Sequence, residues 1–168
     1  LGTGLLLFFL LYGLHRDAAG AEDDLLLLIV VYTVFVVAAS IFAGAISDRS
    51  GHHVALTVAA AIVQGVAALL IAALPGFETT LAAAALLGIG YGAYMSVSLA
   101  LATDLLPFPD DSARDLGIVN VSAALGQLLG PVLGAGLVAL VGGFWLLFVV
   151  GGALSIVGGL MTLAIGKR

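Results

Sequence analysis

Charge in this chain is confined to short clusters, and the stretches between them are apolar for about 20 residues or more. No other feature limits the possible folds as strongly. A helix rises 1.5 Å per residue, so a run of that length crosses a hydrocarbon core of about 30 Å. Inside such a core every backbone N–H and C=O needs an internal partner, which a helix supplies and an open strand does not. Barrel strands are segments of about 10 alternating residues, and no such alternation occurs here. Only 9% of the residues are charged, against roughly 25% in soluble proteins. That is too few to coat a surface facing water. The sequence therefore predicts an all-α membrane protein, a single transmembrane bundle over residues 1–168.

Five complete spans are expected, at about Leu25–Ser47, Val54–Leu74, Leu81–Thr103, Gly117–Val141 and Phe144–Ile165. A further apolar run, Leu1–Leu14, is too short to cross. It reads as the tail of a first span that begins outside this sequence, so the chain is expected to be a fragment. It lacks the basic start of a signal peptide. Polar links fall at His15–Asp24, at GAISDRSGHH (Gly44–His53), at Pro75-Gly76 with GFETT, at DLLPFPDDSARD (Asp104–Asp115) and at Gly142-Gly143.

Six spans place these links on alternate sides. One side holds Arg49, Arg114, Lys167 and Arg168, and the other holds Arg16 alone. Orientation follows the Lys and Arg balance, with the richer side in the cytoplasm. The Gly44–His53 link and the C-terminus are thus expected in the cytoplasm of a multi-pass plasma-membrane protein.

Several functional classes fall away. The chain has no Cys, so it has no disulfide framework or catalytic thiol. No basic stripe suggests nucleic acid. His52 and His53 are adjacent and cannot form an i, i+4 metal pair. No phosphate-cradling GK[ST] loop occurs. No catalytic residues, metal or cofactor are expected, and an enzyme is disfavoured. No Lys, Arg, Asp or Glu lies deep in any span, where such residues usually mark ion paths.

The spans differ in their polar content. In the fourth, Gly88, Gly92 and Ser96 recur every four residues, a ridge that lets a neighbouring helix approach closely. Tyr91, Tyr94 and Ser98 form a separate stripe, roughly 120° or more away at about 100° per residue. A polar stripe in mid-span calls for a water-filled cavity or a partner helix. In the fifth, Asn120, Gln127 and Pro131 share a stripe beside a ridge of Gly126, Gly130 and Gly134. Pro131 removes a backbone donor and is expected to bend the helix. The second span offers Tyr32, Thr33 and Ser40, and the third a lone Gln64 read as structural. The sixth has Gly pairs and almost nothing polar, as a peripheral packing helix would.

The link GAISDRSGHH resembles the signature loop of the major facilitator superfamily. That pattern is Gly-x-hydrophobic-small-Asp-Arg-x-Gly followed by two basic residues. Gly44, Ile46, Ser47, Asp48, Arg49 and Gly51 match it, and His52 and His53 stand where Arg or Lys is usual. Histidine gains its charge only in mild acid, so this loop's interactions are expected to depend on pH. In the family the loop joins the second and third helices of each six-helix half on the cytoplasmic side, its place here too. Thr103–Asn120 resembles the link between the tenth and eleventh helices. The resemblance thus implies the C-terminal half, with inverted-repeat bundle packing. Gly117, Gly126, Gly130, Pro131 and Gly134 also follow the glycine-proline motif of drug exporters. That motif belongs to the N-terminal half of such an exporter, which stays open as the alternative.

The resemblance implies secondary transport of a small solute between two halves that rock about a midplane site. The N-terminal half would be a partner outside this chain. The substrate path would take Tyr32, Tyr91, Tyr94, Asn120 and Gln127. Asp48 would latch the outward-facing state at a helix start in the other half. Arg49 would pair with loop acids, Asp104 or Asp115. Gly51 would permit the tight turn. A non-transporting membrane subunit or assembly protein is the reading from a different class.

Overall fold

The computed structural model of the chain describes residues 18–74, 76–104 and 112–165. Five helices make up these residues: α1 (Ala18–Ser50), α2 (His53–Ala73), α3 (Phe77–Asp104), α4 (Ser112–Val141) and α5 (Trp145–Ile165). All five are long and apolar enough to cross a membrane, and no strand occurs among the described residues. They correspond to the second to sixth expected spans. The short run Leu1–Leu14, the turn residue Pro75 and the closing Gly166–Arg168 lie outside the described residues.

Helix ends depart from span ends, most of all in α1. Residues 18–24, read as part of a polar link, are helical. Ala and Glu are good helix formers, so acids at Glu22, Asp23 and Asp24 do not stop the helix. Hydropathy marks where the membrane ends, not where the helix does. At 33 residues α1 is about 50 Å long, well beyond a hydrocarbon core. In the same way α3 begins at Phe77 and α4 at Ser112, each a turn or so before the apolar run.

The exterior is apolar and the interior is small. Leu26, Phe42, Leu128, Leu140 and Met161 are among many large exposed side chains. The buried set is mostly alanine: Ala21, Ala43, Ala60, Ala61, Ala67, Ala83 and Ala84, with Val58, Val97, Leu28 and Ile71. Lipid tails are as apolar as leucine, so burying large side chains brings no hydrophobic gain. Close backbone approach and dispersion hold the helices instead.

Helices α1 and α3 run parallel and in step. A Cβ built on Gly88 would meet Tyr32 O at 2.5 Å, one on Gly92 would strike the Val36 carbonyl, and one on Gly44 would lie 3.5 Å from Ser96 Oγ. The ridge Gly88, Gly92, Ser96 therefore seats α1. The single Ser40 Oγ–H is shared between Gly92 O across this seam, at 3.1 Å, and Val36 O of its own helix, at 2.8 Å. Gly90, on another side of α3, faces Ala60 and Gln64 of the antiparallel α2. Helix α5 runs antiparallel to α2, with Gly152 against Gly65 and Gly159 against Ala61. Helix α4 packs only lightly, against α5.

Candidate functional site

Where α2, α3 and α5 meet, they leave a half-open cavity of about 310 Å³. Its polar wall comes from Thr57 and Gln64 of α2, Tyr91 and Tyr94 of α3, and Ser155 and Thr162 of α5. No charged side chain lines it among the described residues. The three aliphatic hydroxyls donate to backbone carbonyls. Thr57 Oγ1 bonds His53 O at 2.8 Å, Ser155 Oγ bonds Ala61 O at 2.9 Å, and Thr162 Oγ1 bonds Gly158 O at 3.1 Å. Ser155 thereby ties α5 to α2 at the cavity wall.

Tyr91 and Tyr94 reach this wall because the opposite side of α3 is engaged with α1. Tyr32 of α1 is half-buried and stands against Tyr91, with ring centroids 6.2 Å apart and planes tilted by 36°. Such a tilted pair lies within the favourable range for aromatic contacts. Tyr32 and Tyr91 therefore form an aromatic pair across two helices, and Tyr94 lies one turn further along α3. Asn120 and Gln127 are exposed on α4 and do not line this cavity. Pro131 lies inside a continuous α4. It has no N–H to offer the carbonyl of Gln127, four residues earlier.

The Gly44–His53 link is mostly helix. Asp48 and Arg49 sit exposed in the last turn of α1. Gly51 takes φ +64° and its N–H donates to Ser47 O at 2.9 Å, which ends the helix with a left-handed residue. Ser47 is buried, and its Oγ lies within hydrogen-bond distance of His53 Nδ1, joining the end of α1 to the start of α2. His52 is exposed. The side chains of Asp104 and Asp115 lie outside the described residues, so the suggested pairing with Arg49 falls there too.

Thr57, Gln64, Ser155 and Thr162 were not read from the sequence as site residues. A signal for them exists. Thr57 and Gln64 are seven apart, as are Ser155 and Thr162, so each pair shares one helix face. Two polar residues per helix look incidental until the helices are brought together.

A family model described as Major Facilitator Superfamily matches residues 1–168. No curated relative matches the chain.

Proposed function

The chain belongs to the major facilitator superfamily, and from that premise we propose that it is the C-terminal half of a secondary transporter carrying a small solute. Transport as such goes with the family, as does a multi-pass place in the membrane. The observation that supports the finer reading is the polar-lined cavity bounded by Tyr91, Tyr94 and Gln64, within helices long and apolar enough to cross a membrane. The resemblance of Thr103–Asn120 to the tenth-to-eleventh link supports the C-terminal assignment. The partner is then an N-terminal half outside this chain, and the two halves rock to expose the site to each side of the plasma membrane in turn.

Asp48 is the latch in this mechanism. It sits in the last turn of α1, where the negative pole of its own helix opposes it. Placed at the N-terminus of a helix in the other half, the same carboxylate gains about 0.3–1 kcal/mol, or about 2 when partly buried. That shifts a two-state ratio by roughly two- to thirty-fold, enough to bias the outward-facing state and weak enough to release. Gly51 holds the turn, and Arg49 remains available to loop acids. The test is Asp48→Ala in the full-length transporter. Solute flux is lost while expression and helicity stay intact. Normal flux in that variant would remove Asp48 from the mechanism.

A further inference from the structure

Two helices of this chain end in the same way. Gly51 closes α1 at φ +64°, its N–H donating to Ser47 O at 2.9 Å. Gly142 closes α4 at φ +71°, its N–H donating to Val138 O at 2.9 Å. The first turn carries a side-chain bond that Val138 has no group to make. Ser47 Oγ lies within hydrogen-bond distance of His53 Nδ1, and Ser47 is only 1% exposed. Both oxygens of one buried residue are therefore engaged, the carbonyl by the turn and the hydroxyl by the start of α2.

The Ser47 hydroxyl is turned away from the acceptor that such groups take elsewhere in this chain. Thr33, Ser40, Thr57, Thr80 and Thr162 each donate to the carbonyl four residues back. Ser47 points to the ring of His53. A buried hydroxyl needs an acceptor for its proton. Nδ1 is the acceptor it faces, which holds the ring with its own proton on Nε2. The Arg or Lys usual at this position can only donate. The bond also brackets Asp48 and Arg49 between its two ends. Asp48 opposes the negative pole of α1, and last turns of helices fray. A bond from Ser47 to the next helix works against that fraying.

We infer that Ser47 and His53 are positioning residues, whose hydrogen bond clamps the link so that Asp48 keeps its place in the last turn of α1. His53 does this as an acceptor, at a position where a positive charge is usual. The inference deepens the latch reading and rests on it.

Three measurements on the full-length transporter test it. The nitrogen NMR spectrum of the ring at about pH 8 reports which nitrogen carries the proton. His53 is expected in the Nε2–H form, and Ser47→Ala should release it to a mixture of both forms. Amide hydrogen exchange at Gly51 should rise roughly five- to ten-fold in Ser47→Ala and in His53→Arg. It should rise less than about two-fold in His53→Asn, whose side-chain oxygen keeps an acceptor near the Nδ1 position. Exchange at Gly142, the unclamped turn, should not move. The third measurement reads the latch. His52→Cys places a thiol at an exposed position beside the turn, which is covered whenever the other half engages Asp48. Its labelling by maleimide should speed up by the same factor in Asp48→Ala, in His53→Arg and in the two combined. His53→Asn should label at the parent rate. A mixture of ring forms in the parent, fast Gly51 exchange in His53→Asn, or parent-like exchange in His53→Arg overturns the clamp. Labelling raised by Asp48→Ala but not by His53→Arg overturns the positioning role and leaves the latch standing. Labelling unmoved by Asp48→Ala removes the latch, and the inference with it.

Discussion

Gly151 and Gly152 are neighbours in one helix and meet opposite surroundings. A Cβ at Gly151 has nothing within 4 Å, whereas one at Gly152 meets Gly65 O at 2.8 Å, Leu69 Cγ at 3.1 Å and Ala68 Cβ at 3.3 Å. The first of these is a backbone atom and falls about 0.6 Å short of the 3.4 Å at which such contacts become ordinary. A methyl at Gly152 must therefore push α5 away from α2. It also strains the Ser155–Ala61 bond one turn further along. Both substitutions to alanine gain the same helix propensity, about 1 kcal/mol over glycine. That term cancels when the two variants are compared. Their difference isolates the seam, and an overpacked contact typically costs about 1–3 kcal/mol. Gly151→Ala should thus be neutral or up to about 1 kcal/mol more stable than the parent. Gly152→Ala should lie about 1–3 kcal/mol below Gly151→Ala. Reversible unfolding in mixed detergent micelles, followed by helical circular dichroism, measures the difference. A gap under about 0.5 kcal/mol, or the opposite order, would refute backbone-to-backbone packing of α5 on α2.

Two further outcomes are expected. Gly51→Ala should cost about 1–2 kcal/mol, because φ +64° is unfavourable for a side chain while the space around it is open. Gly51→Asn should cost less, since asparagine tolerates that region, and equal losses in unfolding midpoint for the two would show that φ is not the cause. A reporter fused after His53 should prove cytoplasmic in a permeabilisation assay, as the Lys and Arg balance of the links requires. External labelling would reverse the orientation of every span.

Class was legible in the sequence because it depends on local quantities. The length of an apolar run and the spacing of charges decide whether a helix crosses a membrane, and both are properties of neighbouring residues. The same holds for the ridge Gly88, Gly92, Ser96, whose four-residue spacing marks a face whatever lies opposite it. The turn at Gly51 belongs to this group as well.

Partners were not legible, because contact between helices is a relation between distant residues. The fourth-span ridge could have met any neighbour, and only the fold seats it on α1 beside Val36 and Ser40. Gln64 looked structural alone and lines the cavity once α5 brings Ser155 and Thr162 opposite. The sixth span looked like plain packing because its polar residues are sparse. Its glycine pairs are alike in sequence, yet Gly152 and Gly159 carry the seam while Gly151 and Gly158 stand open. In a bilayer no hydrophobic difference tells one helix face from another. The choice falls to the fit of small residues across a seam, and that fit exists only when both helices are present.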